Sequence, residues 1–338
     1  MIILVDAMGG DNAPEDIVNG SMDAINEAEG FDIVLVGDSQ KVSRIINERK
    51  FDSPRLTVHH AGDVVTNEDK PTKAIRGKRD SSMVVAFRLL KENKGDVLLS
   101  AGNSGALMAG ALFIVGRMKG VDRPSLPAIV PTKTGSALII DSGLNTVCKP
   151  VNFLQFGIMG SVYMKEIFNV DNPKVGLINV GAEQSKGNDL IKQAHSLLTK
   201  SSLNFMGNIE GKDIMLGGVH VAVCDGFVGN VALKLLEGTA IYFFSNIKRI
   251  LSKNFLNKIA AAIIVKDIKK FSHRLDADEV GGAPILGVKG LVIKSHGSSN
   301  AKTIKNVIIN RAYALGKTAI LKKLNDQFKD WEVEDIEP

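Results

Sequence analysis

Residues 96–115 have the sequence DVLLSAGNSGALMAGALFIV, and this stretch decides the fold class. The apolar run that ends at Ser100 has the length of a buried strand, and the almost wholly apolar segment from Leu107 onward has the length and composition of a buried helix. Between them lies a short loop that contains two glycines. This order of strand, glycine loop and helix is the unit from which α/β sheets are built.

The same unit recurs four more times along the chain. Strands are predicted at 2–6, 174–180, 220–224 and 291–295, and each precedes a glycine loop and a helix. Because strands alternate with helices, the sequence predicts a single α/β domain over residues 1–338, doubly wound around a mainly parallel sheet. Its lobe boundary is predicted at 145–152. The loops after parallel strands share one edge of a sheet, so all five are expected to converge there on a ligand.

The composition excludes several classes of protein. The chain has 338 residues, of which 44% are hydrophobic and 23% charged, so it is globular rather than disordered. Its two cysteines, Cys148 and Cys224, are far apart, which argues against a disulfide framework or a structural zinc site and favours a reducing cytoplasm. No run of about 18 apolar residues is present, so a soluble cytoplasmic protein is expected.

Positive charge is concentrated in the segment 246–275. The segment contains eight Lys and Arg residues and a single acidic residue, Asp267, whereas the whole chain has a net charge of +5. This pattern argues against a general nucleic-acid-binding surface and for one anionic partner surface. Four apolar residues follow helical spacing in the segment: Leu256, Ile259, Ile263 and Ile264. The sequence therefore predicts a basic helical protrusion that binds anionic membranes, with a core or dimer-contact stripe as the alternative.

Glycine loops that precede helices are candidate anion sites, because they offer backbone N–H groups and the positive end of a helix dipole. None of them matches GxxxxGK[ST] or GxGxxG, so ATPase and dinucleotide-binding functions lose their usual support. An ordinary turn or helix cap remains the alternative for any single loop. The candidate phosphate or acyl contacts are Gly9, Gly10, Asp11, Gly102, Asn103, Ser104, Gly105, Asp225, Gly226 and Gly229.

Two further side chains are candidates for catalysis. Lys186 lies between a predicted strand and a helix, where an ammonium group can contact phosphate or an oxyanion, although a solvated lysine is equally ordinary there. His296 follows an apolar strand and is either a proton donor and carbonyl polariser or the cap of the next helix. Cys224 ends an apolar strand and is predicted to be a buried small hydrophobe.

Aspartates also end several of the predicted strands. Asp6, Asp11, Asp141 and Asp225 lie at strand ends or in glycine loops. Such carboxylates can bind a divalent cation or cap helices, and the sequence leaves both alternatives open.

Seven segments, taken in order, resemble the phosphate acyltransferase family (PlsX). They are 6–11, 63–71, 100–106, 207–211, 225–230, 281–288 and 296–299. The match runs over nearly the whole chain. Ser104 replaces the family's usual threonine and keeps its hydroxyl, and Leu144 adds bulk beside a ligand loop.

The resemblance implies an enzyme that converts acyl-[acyl carrier protein] and inorganic phosphate to acyl phosphate, with no cofactor or metal. It also implies an isocitrate/isopropylmalate dehydrogenase-like fold and a homodimer that associates peripherally with the cytoplasmic face of the membrane. The acyl phosphate would pass to an acyl-phosphate:glycerol-3-phosphate acyltransferase in phospholipid synthesis. In this reading Lys186, Asn230 and His296 are the catalytic residues.

Three alternatives remain at this point. A short-chain acyl-CoA phosphotransferase would use similar chemistry with another donor. A metal- and nicotinamide-dependent decarboxylating dehydrogenase would share the fold. A non-catalytic membrane scaffold would use the protrusion alone. The sequence also predicts a homodimer independently of the resemblance. The apolar stretches 107–115 and 231–247 offer more hydrophobic surface than is needed to cover one sheet.

Overall fold

The structure is a computed structural model that describes residues 1–254, 257, 261, 263, 264 and 282–331. It contains two compact units, each with its own β-sheet. The first unit takes its described residues from 1–127, 158–171 and 281–338, and the second from 128–157 and 172–280.

Most of the described strands are followed by helices. The strands are β1 (Ile2–Asp6), β2 (Asp32–Gly37), β3 (Leu56–His60), β4 (Val97–Ser100), β5 (Ala128–Thr132), β6 (Gly135–Ile140), β7 (Lys174–Ile178), β8 (Asn204–Ile209), β9 (Val221–Val223), β10 (Ala283–Pro284) and β11 (Leu291–Lys294). The helices are α1 (Glu15–Glu27), α2 (Ser39–Glu48), α3 (Pro71–Gly77), α4 (Ser82–Lys91), α5 (Ser104–Gly110), α6 (Pro150–Phe168), α7 (Asp189–Thr199), α8 (Gly211–Leu216), α9 (Gly226–Leu251), α10 (Ala301–Val307), α11 (Ala314–Gly316) and α12 (Ile320–Phe328). Single π-helical segments, Ala111–Val115 and Ile308–Tyr313, continue α5 and α10.

The sheet of the first unit has the strand order β10-β11-β4-β1-β2-β3. Every neighbouring pair is parallel except β10 with β11. In the register of the centre, Leu98 lies opposite both Leu4 and Val292, and all three are fully buried. Central strands covered on both faces are apolar at every position, which explains the unbroken apolar run that ends at Ser100.

The sheet of the second unit has the order β5-β6-β9-β7-β8. β5 and β6 form an antiparallel hairpin, and β6, β9, β7 and β8 run parallel. The core on one side of this sheet joins Val130, Ile139 and Ala222 to Ile214 of α8, and Leu236 of α9 packs against it. Because β6, β9, β7 and β8 are parallel, their carboxyl ends share one edge of the sheet.

The predicted α/β class, with mainly parallel sheets, is confirmed, and all five strand–loop–helix units are present. The prediction of one sheet is wrong, because β1, β4 and β11 belong to the first sheet whereas β7 and β9 belong to the second. The predicted lobe boundary at 145–152 is also wrong: the chain changes unit after residues 127, 157, 171 and 280, and Pro150 instead begins α6. The assignment of residues 1–338 to one acyltransferase domain stays a prediction.

The helix α9 is unusually exposed for its composition. Among the residues that the structure describes, it is the one helix long and apolar enough to cross a membrane, on length and composition alone. Large apolar side chains on it face solvent, including Leu235, Ile241 and Phe243.

Part of the predicted protrusion, 246–275, can be compared with the structure. Its first six residues form the end of α9. Ile263 and Ile264 are exposed, whereas Leu256 and Ile259 lie outside the described residues.

Candidate active site

Three loops meet at the carboxyl edge of the first sheet, after β1, β4 and β11. The N–H of Asp11 donates a hydrogen bond of 2.8 Å to the carbonyl of Gly297, which joins the first loop to the third. The first loop also lies close to the second: a Cβ on Gly9 would be 2.9 Å from the nitrogen of Gly102. No real side chain tolerates that distance to backbone, so packing between the loops requires glycine at position 9.

Asn103 caps the helix that follows β4. Its side-chain oxygen accepts a hydrogen bond from the N–H of Ala106 at 3.0 Å, and its Nδ2 donates to the carbonyl of Thr66 at 3.0 Å. The side chain of Asn103 is therefore engaged in holding the loop together. Ser104 and Gly105 are exposed in the first turn, where an anion can approach the N–H groups of the helix.

His296 follows β11 at the same edge and is exposed. Its carbonyl accepts a hydrogen bond from the N–H of Ser299 at 3.1 Å. The cap of the next helix is Asn300, whose side chain accepts from the N–H of Thr303 at 2.9 Å. The structure thus assigns the capping role to Asn300, and not to His296.

Asp6 ends β1 and lies against these loops, with 1% of its surface exposed. Its Oδ2 accepts a hydrogen bond of 2.7 Å from the Ser100 hydroxyl, and Ser100 Oγ accepts one of 3.1 Å from the N–H of Gly102. Its Oδ1 is buried and has no hydrogen-bond partner. Burial raises the pKa of Asp6 above its ordinary value of 3.8, and the neighbouring hydroxyls of Ser82 and Ser100 oppose this effect only in part.

A second group of predicted residues lies at the carboxyl edge of the other sheet. Asp141 follows β6, and its Oδ2 accepts hydrogen bonds from the N–H groups of Leu144 at 3.0 Å and Asn145 at 2.6 Å. The carbonyl of Asn145 in turn accepts from the N–H of Gly226 at 2.7 Å. Asp141 therefore holds its own loop against the beginning of α9.

The first turn of α9 packs directly on the end of β6. Asp225 is the helix cap, and its side chain accepts the N–H of Val228 at 2.8 Å. A Cβ on Gly229 would be 1.9 Å from the carbonyl oxygen of Asp141. Asp225 thus serves as the helix cap, and Gly229 lets the helix pack closely on the end of β6. Asn230 is exposed at the next position, so its side chain is accessible to a ligand.

Lys186 lies in the loop after β7, the strand next to β9 in the sheet, and its residue is exposed. Its N–H donates to the carbonyl of Glu183 at 3.1 Å. Two asparagine side chains hold this turn: Nδ2 of Asn179 donates to the Lys186 carbonyl at 3.1 Å, and Nδ2 of Asn208 donates to the Glu183 carbonyl at 2.9 Å. Neither asparagine emerges from the sequence as a site residue. Lys186, in the loop after β7, and Asn230, in α9 after β9, thus follow adjacent strands.

The thiol of Cys224 is unsuited to nucleophilic attack. It is 2% exposed, and its Sγ donates to the carbonyl of Asp141 at 3.5 Å. Burial raises the pKa of the Cys224 thiol well above its ordinary value. The predicted role as a buried small hydrophobe is confirmed. Within the described residues, no group of three or more His, Cys, Asp or Glu side chains is arranged to hold a metal ion.

The predicted site residues therefore form two groups, one at the carboxyl edge of each sheet. The first unit contains Gly9, Gly10, Asp11, Gly102, Asn103, Ser104, Gly105 and His296, and the second contains Lys186, Asp225, Gly226, Gly229 and Asn230. The expectation that all five loops share one sheet edge is corrected to three loops on one sheet and two on the other.

Solved structures with a similar fold include two phosphotransacetylases. The enzyme from Streptococcus pyogenes matches with a TM-score of 0.62 and 18% identity, over 93% of this chain and 94% of that chain. EutD phosphotransacetylase from Staphylococcus aureus matches with a TM-score of 0.59 and 14% identity, over 94% of both chains. At these identities the likeness concerns the fold alone.

Sequence relatives are much closer. A phosphate acyltransferase from Acetivibrio thermocellus is 63% identical over 337 residues, which is 100% of this chain and 99% of that protein. One from Clostridioides difficile is 45% identical, over 96% of this chain and 95% of that protein. The model of the family described as "Fatty acid synthesis protein" matches residues 1–323. The predicted enzyme class, an acyltransferase, is confirmed, and the chain belongs to the phosphate acyltransferase family that it resembles.

Proposed function

We propose that this enzyme transfers a fatty acyl group from acyl-[acyl carrier protein] to inorganic phosphate and releases acyl phosphate and the free carrier thiol. The observation that carries the proposal is the 63% identity, over the full chain, to a protein named phosphate acyltransferase. The two sets of glycine loops support it, because they offer backbone N–H groups to anionic reactants.

The chemistry needs no nucleophile from the protein. An oxygen of the phosphate dianion attacks the thioester carbonyl, and a new C–O bond gives a tetrahedral oxyanion. Collapse of this intermediate breaks the C–S bond, and the pantetheine thiolate takes a proton. The protein then has to position two anionic reactants and stabilise the oxyanion, and both tasks lower the barrier substantially. The buried, protonated thiol of Cys224 fits this scheme.

Within this scheme Lys186 binds the phosphate or the developing oxyanion. No ion pair engages its ammonium group among the described residues, and the loop that carries it is held by two side-chain amides. Asn230, near the beginning of α9 after the adjacent strand β9, orients the carbonyl and the phosphate. Backbone N–H groups near Ser104 and Gly105 contribute to the same task. His296 polarises the carbonyl or protonates the departing thiolate.

An acyl-CoA donor with a short chain is the second candidate. The observation that favours it is the similarity of the fold to two phosphotransacetylases. The rival dehydrogenase function lacks comparable support, although an isocitrate/isopropylmalate dehydrogenase-like fold stays a prediction. Substrate comparison separates the two donors, because a carrier-protein enzyme should discriminate strongly against the same acyl chain on coenzyme A.

The proposed assembly is a homodimer that binds the cytoplasmic face of an anionic membrane. The exposed apolar side chains of α9 support a dimer contact, since monomers seldom leave such a surface in water. The basic segment 246–275 supports membrane binding. An acyl phosphate released beside a bilayer is well placed for the next enzyme, an acyl-phosphate:glycerol-3-phosphate acyltransferase, in phospholipid synthesis.

One assay tests the central proposal. Purified protein is mixed with long-chain acyl-[acyl carrier protein], and free carrier thiol is measured with and without inorganic phosphate. We expect thiol release that depends on phosphate and yields acyl phosphate in equal amount. Phosphate-independent release would indicate a thioesterase, and faster reaction with acetyl-CoA would favour the second candidate.

A further inference from the structure

The carboxyl group of Asp6 is the most unusual buried group in the first unit. It is 1% exposed, and within the described residues no ion pair neutralises it. Its Oδ1 has no hydrogen-bond partner. Unpaired buried polar atoms are rare in native structures, and each one calls for an explanation.

The other oxygen of Asp6 leads directly to a candidate ligand loop. Oδ2 accepts the Ser100 hydroxyl at 2.7 Å, and Ser100 Oγ accepts the N–H of Gly102 at 3.1 Å. A serine hydroxyl has one proton and two lone pairs. Because the Ser100 hydroxyl donates its hydrogen bond to Asp6, its lone pair is left to accept the N–H of Gly102. The hydroxyl cannot then rotate to donate elsewhere.

From this chain of contacts we propose that Asp6 is a positioning residue, which acts through Ser100 to fix the N–H groups of the loop 102–105 for phosphate binding. The proposal rests on the proposed function, since it assumes that this loop binds the phosphate. The N–H of Gly102 is turned inward to Ser100, and this contact holds the loop two residues before the exposed Ser104 and Gly105.

Packing above Asp6 couples a second loop to the same carboxyl group. A Cβ on Gly9 would be 2.4 Å from Asp6 Oδ2 and 2.9 Å from the nitrogen of Gly102. The two loops therefore rest on one buried side chain, with no room for adjustment between them. Burial raises the pKa of Asp6 above its ordinary value.

The test compares four variants of the full chain, with KM for phosphate, KM for the acyl donor and kcat measured separately. Asp6→Ala and Ser100→Ala should each raise KM for phosphate by about tenfold, the effect of one lost hydrogen bond, with little change in KM for the acyl donor. Asp6→Asn keeps an acceptor for Ser100 and should restore most of the loss. Ser21→Ala is the control, because Ser21 is a buried serine of the same unit whose hydroxyl donates within α1, to the carbonyl of Ile17 at 2.8 Å.

Coupling between the two residues gives the decisive measurement. If Asp6 acts through Ser100, the double variant Asp6→Ala, Ser100→Ala should be no worse than either single variant. Additive effects, or an unchanged KM for phosphate in both single variants, would overturn the proposal. A loss that Asp6→Asn fails to restore would also overturn it, since a need for negative charge is not positioning. Should Asp6→Ala fail to fold, Ser100→Ala and Asp6→Asn still decide the question.

Titration of inorganic phosphate by calorimetry separates this proposal from the proposed function. Wild-type protein that binds phosphate but releases no carrier thiol would refute the transferase reaction and leave the positioning role standing. If the wild-type protein is an active transferase and all four variants bind phosphate with its affinity, the transferase reaction is supported and the positioning role is refuted.

Discussion

The backbone carbonyl of Lys186 accepts a hydrogen bond of 3.1 Å from the side-chain amide of Asn179, the residue that directly follows β7. The loop is therefore anchored through the main chain of Lys186. The ammonium group of Lys186 takes no part in these hydrogen bonds. The N–H of Lys186 donates to Glu183, which Asn208 also contacts. A side-chain substitution at position 186 consequently removes charge without releasing the loop.

The first prediction follows from this arrangement. Lys186→Ala should lower kcat by about 10²–10³-fold, the range for removal of one oxyanion-stabilising donor, while the melting temperature stays unchanged. Lys192→Ala provides a matched control, because Lys192 is an exposed lysine on the following helix and should retain wild-type turnover. Near-normal turnover in Lys186→Ala would remove this lysine from the mechanism.

The second prediction concerns His296, whose capping alternative is taken by Asn300. If the imidazole donates a proton to the leaving thiolate, His296→Asn should lower kcat by about 10²-fold or more and abolish the limb of the pH–rate profile that imidazole titration produces. The profile of kcat against pH from 5 to 9 is the measurement. A profile that keeps its shape would show that His296 takes no part in proton transfer.

Two glycines of α9 provide a third prediction, on stability. A Cβ on Gly229 would be 1.9 Å from the Asp141 carbonyl oxygen, whereas one on Gly238 would meet nothing within 4 Å. Gly229→Ala should therefore lower the free energy of unfolding by about 1–3 kcal/mol or more, since neither backbone can move aside. Gly238→Ala should raise it by up to about 1 kcal/mol, because alanine favours the helix. Chemical denaturation measures both. Equal effects would mean that the first turn of α9 does not pack on β6.

Local pattern was sufficient to predict the five strand–loop–helix units, because apolar runs and glycine loops are local features of the sequence. The assignment of β7 and β9 to a second sheet was not predictable in this way. Strands of either sheet carry the same apolar pattern, and parallel pairing joins residues far apart in sequence. The same limit applies to Pro150, which suggested a boundary but begins a helix.

The candidate site shows a similar division between what sequence can and cannot reveal. Glycine loops and strand ends located Lys186 and Asn230 at adjacent strands of one sheet. Sequence could not separate Asp225, which caps a helix, from Asp6, which is buried against Ser100, because both simply follow apolar runs. Burial and hydrogen-bond partners distinguish them, and these depend on tertiary packing.

Burial of Asp6 leads to a fourth prediction, on the pH dependence of stability. Its pKa is raised above 3.8 in the folded protein, so between these two pKa values the folded state binds more proton than the unfolded state. Stability from this group is therefore complete below about pH 4 and declines as the pH rises through the window up to the raised value. Asp6→Asn cannot titrate and should lack this decline.

The measurement is the difference in unfolding free energy between wild type and Asp6→Asn, taken from pH 4 to pH 8. It should shift steadily in favour of the variant as the pH rises. A difference that stays flat over this range would contradict the prediction, because Asp6 would then bind the same number of protons in the folded and unfolded states.

The last prediction concerns membrane binding by the segment 246–275. Its surplus of basic residues should attract anionic lipid with about 1 kcal/mol for each residue near the surface, and Ile263, which is 77% exposed, can enter the headgroup region. Ile263→Glu combined with Leu256→Glu should abolish flotation with anionic vesicles. Wild-type binding should weaken strongly with added salt, because screening shortens the range of the attraction.

Leu216→Glu is the matched control for these substitutions, because Leu216 is an exposed leucine on α8, outside the basic segment. It should bind vesicles as wild type does. Turnover on acyl-[acyl carrier protein] in solution and the sedimentation coefficient should be unchanged in the double variant, since a headgroup contact supports neither. If the double variant instead dissociates to monomers or precipitates, these side chains belong to a dimer contact or a core and the membrane interpretation is wrong. Retained vesicle binding would also contradict the prediction, because the two glutamates remove the apolar contact and add charge that anionic lipid repels.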